Sequence, residues 1–338
     1  MKKILIVKTS SMGDVIHTLP ALTDAGLANK NIRFDWVVEK PFAEIPTWHP
    51  LVDKVIPVEV RRWRKNPLKA IGSGEMGNFL TNLRLTQYDG ILDAQGLMKS
   101  ALIARLAKGV RLGLDRRSAW EPTASYLYQK TFSVNPELHA ITRVRTLFGK
   151  ALGYSFDRDH VAYGVDQRKF KTDPNEPPYV LFLHGTTWET KHWPESYWEA
   201  LAKQVNQRGL MIKLPWSNDV EKDRANRVAK SCDMAQVLPR LNLAGVAKVI
   251  AGSQAVVSVD TGLGHLTAAL DVPAVSLYGP TDPDEIGTVG PNQIRLQSNR
   301  ACPAACTAQK CSLAAEISPL CFKNLTPDRV VEALNTLL

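Results

Sequence analysis

Nowhere in the 338 residues does an apolar run approach the roughly 18 uninterrupted residues that a membrane span requires. Any membrane contact is therefore expected to be peripheral. Met1-Lys2-Lys3 and the apolar Ile4 to Val7 imitate the start of a signal peptide, but Lys8 stops the run well short of an apolar core, and a cytoplasmic chain is expected. Glycine-rich phosphate loops are missing where they would count. The loop after the first apolar run reads KTSSMGD, neither G-x-G-x-x-G nor G-x-x-x-x-G-K-[ST]. A formal match at Gly72, Gly74 and Gly77 follows the charged RRWRKNPLKAI and no strand, so it reads as a flexible loop. Paired C-x2-C motifs are absent too. Four of the five cysteines, Cys302, Cys306, Cys311 and Cys321, are separated by three, four and nine residues. In a cytosolic chain that spacing reads as thiols, with a metal or redox role second. His184, His192 and His265 have no recognised metal-ligand spacing. No metal and no organic cofactor is expected.

What the first half lacks is negative charge. Residues 1–170 hold 26 Lys and Arg against 16 Asp and Glu, whereas residues 171–338 hold 16 against 17, so the net +9 is +10 in one half and −1 in the other. An excess of this kind suits an acidic partner such as nucleic acid, anionic lipid or a phosphorylated glycan, or serves solubility alone. A hydrophobic content of 44% with 22% charged residues describes a globular protein. The length suits two domains of about 150 residues each.

Short β-branched runs alternate with longer helical patterns. Strands are expected at Ile4 to Lys8, Phe34 to Val38, Lys54 to Val58, Gly90 to Ala94, Val180 to His184, Met211 to Pro215, Ala255 to Asp260 and Ala274 to Tyr278. Helical periodicity lies between them, at Leu97 to Lys108, Ser196 to Arg208, Val220 to Cys232 and Leu243 to Gly252. Such alternation means βαβ units and parallel sheets. Around Tyr154 to Pro178 the pattern lapses into TDPNEPP, the natural domain boundary. The final LTPDRVVEALNTLL begins a helix with Thr326 as cap, Pro327 at the first position and Asp328 favoured by the dipole, and Val330, Val331, Leu334, Leu337 and Leu338 form its apolar face.

Four stretches carry candidate chemistry. In KTSSMGDVIHTLPAL a lone carboxylate, Asp14, stands at the mouth of the first strand, as a local helix cap or as a catalytic group. In AVVSVDTGLGHLTAALDVPAVSLYGPTDP a strand ends at Asp260, and Thr261 and Gly262 turn into a helix whose amides suit a phosphate. An ordinary βα turn capped by Asp260 has equal standing there, with Gly262 and Gly264 leaving room for a ligand in the first reading. LFLHGTTWETKHWPE offers Thr186, Thr187 and Lys191, donors that together can hold a pyrophosphate. RRWRK, Arg61 to Lys65, crowds four cations around Trp63, a solvated face or an anion site.

Taken together, VKTSSMGDVIHTLPAL, DAQGLMKSAL, TKHWPE and SVDTGLGHLTAALDVPAVSLYGPTDP resemble the bacterial lipopolysaccharide heptosyltransferases, most closely the branch that adds the first heptose, in the expected order from Lys3 to about Pro283. The resemblance implies an α/β GT-B fold of two Rossmann-like doubly wound parallel-sheet domains facing a central cleft. Residues 1–165 would bind acceptor, 175–322 would bind donor, and the helix of 323–338 would pack back toward the first domain. The implied reaction moves L-glycero-D-manno-heptose from ADP-heptose to the first Kdo of Kdo2-lipid A, with inversion and without a metal. The implied setting is a monomer in peripheral contact with the anionic cytoplasmic face of the inner membrane.

Carried over by residue, Asp14 would be the general base. Lys191, Thr186 and Thr187 would meet the diphosphate, and Asp260, Thr261, Gly262 and His265 would form the donor-binding turn. Glu221 would meet the ribose. Ser10, Ser11, Arg61, Arg62, Arg64 and Lys65 would face the acceptor. Trp120 stands where relatives can carry a basic residue, so Arg116 or Arg117 is expected to substitute, and the cysteine-bearing tail departs from the first-heptose branch. The rival readings are transfer of a later heptose, a nucleotide-sugar epimerase on the same fold, and a nucleic-acid binder, the last without a recognisable motif.

Overall fold

Ile4, Leu5, Ile6 and Val7 are fully buried, and that is why the first apolar run does not alternate: a central parallel strand is covered by helices on both faces. The computed structural model describes residues 1–170, 173, 175–298, 311 and 319–338. They form two units, Met1–Asp166 and Gln167–Leu338.

The first unit runs β1 (Lys2–Val7), α1 (Met12–Ala28), β2 (Ile32–Glu39), β3 (Val52–Val58), α2 (Val60–Lys65), α3 (Pro67–Gly72), α4 (Glu75–Arg84), β4 (Gly90–Asp93), α5 (Met98–Leu106), β5 (Arg111–Leu114), β6 (Lys130–Phe132) and α6 (Ala140–Leu152). The second runs β7 (Tyr179–Leu183), α7 (Glu195–Asn206), β8 (Met211–Leu214), α8 (Asp219–Ala229), β9 (Ala235–Val237), α9 (Leu243–Ala251), β10 (Ala255–Val259), α10 (Gly262–Ala269), β11 (Ala274–Tyr278), α11 (Pro283–Ile286), β12 (Gln293–Gln297) and α12 (Pro327–Asn335).

Each unit is built on one parallel sheet, ordered β3-β2-β1-β4-β5-β6 in the first and β12-β11-β10-β7-β8-β9 in the second. Numbered from its own first strand, each sheet has the order 3-2-1-4-5-6 of a dinucleotide-type doubly wound fold. The chain thus uses one plan twice. All eight expected strands are present. The strands β5, β6, β9 and β12 were not expected. β6, β9 and β12 (KTF, AQV, QIRLQ) are edge strands, where burial no longer demands continuous apolar runs, and β5 (RLGL), though buried at three positions, is only four residues long.

The final helix starts as its sequence suggests, with the Thr326 side chain accepting from the Arg329 N–H. Its apolar face is taken up within the second unit. Val330, Val331 and Leu334 join the core that contains Trp198 and Leu201 of α7, and Trp193 Nε1 donates to the Leu325 carbonyl at 2.8 Å just ahead of the helix. Leu337 packs partly against the same core, and Leu338 is exposed.

In the first unit α1 and α6 are locked together by a buried charge. Arg145 of α6, 1% exposed, meets Asp24 of α1 through Nε at 2.7 Å and Nη2 at 3.0 Å. Its Nη2 also donates to the carbonyls of Asp157 and His160 at 2.7 and 2.9 Å. A guanidinium suits this place because its fork serves a carboxylate and two carbonyls at once. Removing it would strand a buried carboxylate. Arg145→Met is therefore expected to lower the unfolding free energy by about 3–5 kcal/mol in denaturant titrations, and Arg145→Lys to recover only part of the loss.

Candidate active site

In a doubly wound sheet the chain leaves the first strand toward one edge and the fourth toward the other. Right-handed crossovers then put their helices on opposite faces, and the two loops part to leave a crevice. In the first unit that place lies beyond β1 and β4, and in the second beyond β7 and β10. Every loop that carried candidate chemistry, apart from RRWRK and the Glu221 turn, falls at one of these two points.

Beyond β1, Asp14 sits in the first turn of α1. Its Oδ2 accepts from the Ser11 N–H at 2.8 Å and the Ser11 hydroxyl at 2.9 Å, and its Oδ1 lies 3.1 Å from Lys8 Nζ. Asp14 is thus a cap and an ion-pair partner together. Burial pushes its carboxyl up, but the Lys8 charge, the Ser11 N–H, His17 and the Ser11 hydroxyl outweigh this and bring it down to about 2. The pair is asymmetric. The Lys8 side chain is 5% exposed and donates to the Ala94 carbonyl, whereas the Asp14 side chain is 39% exposed. The carboxylate is the partner that a ligand can reach.

The β4 loop holds this arrangement in place. Gln95 Oε1 accepts from the Thr9 and Ser10 N–H groups at 2.9 and 3.2 Å, and Gln95 Nε2 donates to the Ser10 carbonyl at 2.6 Å. Asp93, fully buried, accepts from the N–H groups of Gln95 and Gly96 and from the Tyr128 hydroxyl. Lys99 Nζ reaches the Ser10 hydroxyl at 3.5 Å. Lys8, Asp14, His17, Gln95, Trp120 and Arg143 line one recess. Arg143 rests 4.7 Å from the Trp120 ring centre and donates to the Ser118 carbonyl. Arg143 is the cation that this recess holds beside Trp120; Arg116 and Arg117 are exposed and do not line it.

The basic run forms α2. Arg62 is occupied: it pairs with Glu59 at 2.7 Å and with Glu75. Arg61, Arg64 and Lys65 are exposed. Ser10 is buried and Ser11 exposed at the start of α1. The chance glycine pattern lies where α3 ends and α4 begins, with Gly74 at φ +73° as the cap of α4.

In the second unit the pairing is repeated with the exposures reversed. Lys191 Nζ lies 2.6 Å from Asp260 Oδ2, and here the carboxylate is the deeper partner, 5% exposed against 13% for the lysine. The Thr281 hydroxyl donates to the same Oδ2 at 2.7 Å, and the Thr186 hydroxyl donates to the Asp260 carbonyl at 3.1 Å. Asp260 holds Lys191 and does not cap a helix. That position belongs to Thr261, whose side chain makes no cap hydrogen bond to the first amides of α10. Gly264 serves packing, since a Cβ there would lie 2.9 Å from Ser258 Oγ. His265 is buried within α10, and Thr187 is exposed beside Thr186.

Glu221 stands in the first turn of α8, its Oε2 accepting from the Ser217 N–H and hydroxyl at 2.7 Å each. A Cβ on Gly185 would lie 2.7 Å from its carboxyl carbon, so the β7 loop and Glu221 need a glycine between them. Arg224 on the same helix lies 3.0 Å from His192 Nδ1. Burial, helped by the Arg224 charge, pulls His184 down to about 4, so it is neutral at physiological pH. Among the described residues no group of three His, Cys, Asp or Glu is arranged to hold a metal. Cys302 and Cys306 lie outside the described residues, and Cys232 is a buried thiol in the second core.

The sequence reading missed Lys8, Gln95, Arg143 and Thr281. The motif DAQGLMKSAL contained Gln95 and Lys99, but only the pairing of β1 with β4 shows what they hold.

Comparisons with known proteins bear on what this geometry serves. Residues 76–315 match the model of glycosyltransferase family 9 (heptosyltransferase). Lipopolysaccharide heptosyltransferase 1 of Pseudomonas aeruginosa strain PAO1 is 49% identical over 349 aligned positions, covering 99% of this chain and 98% of the relative. Among solved structures, E. coli heptosyltransferase WaaC with ADP superposes with a TM-score of 0.88 at 44% identity, covering 99% of this chain and 100% of that one. E. coli heptosyltransferase WaaC with ADP-2-deoxy-2-fluoro heptose gives 0.81 at 48% identity, covering 88% and 93%. The two doubly wound units are the Rossmann-like units of a GT-B fold, and the chain belongs to glycosyltransferase family 9, the heptosyltransferases.

Proposed function

We propose that the protein transfers L-glycero-D-manno-heptose from ADP-heptose to the first Kdo of Kdo2-lipid A, inverting the anomeric carbon. The observation that carries this reading is the pair of oppositely exposed lysine–aspartate contacts. One presents an anion where a proton must be accepted, and the other a cation where a diphosphate must be held.

In the proposed step the acceptor hydroxyl forms a bond to the anomeric carbon as the bond to ADP breaks. The hydroxyl proton passes to Asp14, and the charge released on the diphosphate is met by Lys191, the hydroxyls of Thr186 and Thr187, and the amides at Thr261 and Gly262. Asp14 is a weak base at equilibrium. It suffices because the attacking hydroxyl becomes strongly acidic once its oxygen bonds to carbon, and because it is ionised across the physiological range. Glu221 would bind the ribose and His265 would line the donor turn. On the acceptor side Ser10, Ser11, Arg61, Arg64, Lys65 and Arg143 would meet phosphates and carboxylates, with Arg62 fixing α2 in place. The +10 half then faces the anionic substrate, and a lipid-borne acceptor implies contact with the cytoplasmic face of the inner membrane.

Mass spectrometry of mixtures with defined acceptors tests the assignment. One added heptose on Kdo2-lipid A is expected. Consumption of ADP-heptose without acceptor would favour an epimerase, and transfer only to an acceptor that already bears heptose would favour the later position.

Asp14→Asn keeps the shape and removes the base. It is expected to lower kcat by about 10²–10⁴-fold with little change in the acceptor KM. The pH profile carries a signed expectation. Because the Asp14 carboxyl is depressed to about 2, its reactive form is present above that pH and is lost only as pH falls through it. The acid limb of kcat/KM in the native enzyme should therefore not come from Asp14. Lys8→Met removes the largest opposing charge, so the Asp14 carboxyl should rise and the acid limb it causes should move to higher pH. An unchanged profile would show that Lys8 does not tune this carboxylate.

A further inference from the structure

The helix α3 is turned the wrong way for a soluble surface. Of its apolar residues only Ala70 faces inward, 3% exposed, while Leu68 and Ile71 stand out at 85% and 63%. Spaced three apart, these two share one face of the helix. Around them, residues 60–74 contain Arg61, Arg62, Arg64, Lys65 and Lys69 and no Asp or Glu.

The segment is anchored from behind. Arg62 pairs with Glu59 and Glu75, Trp63 Nε1 donates to Glu75 at 3.2 Å, and the Trp63 ring packs edge-on against Phe79 of α4 at 5.6 Å. No ion-pair partner stands against Arg64, Lys65 or Lys69 among the described residues. A Cβ placed on Gly72 or Gly74 would find nothing within 4 Å, so the tip is open on that side as well. The result is a braced projection with two large aliphatic side chains at its crest and unneutralised cations beside them.

We infer that α3 is the element by which this protein docks on an anionic lipid bilayer. Leu68 and Ile71 enter the boundary between headgroups and acyl chains, and Lys69 lies against lipid phosphate, with Arg64 and Lys65 beside it on the acceptor side. The inference rests on the proposed lipid-borne acceptor and names the surface that would meet the bilayer. Charge complementarity selects the occupant. Aliphatic side chains gain nothing from a nucleic-acid backbone, and a neutral apolar partner would leave the cations without counter-charges. The basic α2, which precedes α3 with only Asn66 between them, would be held at headgroup height, where a lipid-borne sugar acceptor begins.

Co-sedimentation of the full chain with vesicles tests this without any substrate. The native protein is expected to bind vesicles of phosphatidylglycerol and phosphatidylethanolamine, to lose binding as salt is raised, and to leave phosphatidylcholine vesicles unbound. Leu68→Ser combined with Ile71→Ser should weaken anionic-vesicle binding by at least about tenfold. It should keep its thermal midpoint and its turnover of a water-soluble, deacylated acceptor. Leu68→Trp should tighten binding and add a blue-shifted emission component on anionic vesicles.

The inference fails if the double serine variant binds as the native chain does, if phosphatidylcholine binds equally well, or if Leu68→Trp shows no added shift. Failure of the heptose assignment would instead appear as absent transfer to the soluble acceptor, whatever the vesicles show.

Discussion

Both lysine–aspartate contacts depend on one topological constraint, the reversal of strand order at the middle of each parallel sheet. Between β1 and β4, and again between β7 and β10, neighbouring strands send the chain in opposite directions. Their loops diverge beyond the sheet and are bridged by side chains, Gln95 onto Thr9 and Ser10 in one unit and Lys191 onto Asp260 in the other. That constraint explains why a Lys–Asp contact occurs beyond each sheet. It also explains why Gln95, from the second loop of its pair, is spent on tying Thr9 and Ser10 into place.

The two contacts differ in depth, and depth separates their chemistry. A buried lysine beside a more open aspartate leaves an anion facing outward. A buried aspartate, further held by Thr281, leaves a cation facing outward. The Lys8–Asp14 pair contributes little to stability, since its aspartate is open to solvent. Rigidity comes from elsewhere: the Arg145–Asp24 clamp between α1 and α6, and the tryptophan-lined core beneath α7 and α12.

The doubly wound class was legible from ILIV, VLFL, AVVSV and AVSLY because parallel strands buried on both faces read as near-continuous apolar runs. The strand RLGL was not legible, since its first residue carries a charge whose destination only the fold reveals: Arg111 Nε donates to the Leu127 carbonyl. In the site, Asp14, Lys191 and Asp260 could be read because each lies in the segment that follows a central apolar strand. Arg143 could not, because it lies on α6 and reaches the recess through its contact with Trp120. Arg62 looks like its neighbours in RRWRK and differs from them only in geometry, with Glu59 one turn behind it and Glu75 thirteen residues ahead.

The central claim is that the second unit presents its lysine and the first its aspartate. Calorimetric titration of ADP into Lys191→Ala and Asp14→Ala, side by side with the native chain, tests it most directly. The account predicts that Lys191→Ala weakens ADP by about tenfold or more, equivalent to about 1.4 kcal/mol, while Asp14→Ala leaves the affinity essentially unchanged. Equal weakening by both substitutions, or none by Lys191→Ala, would contradict it.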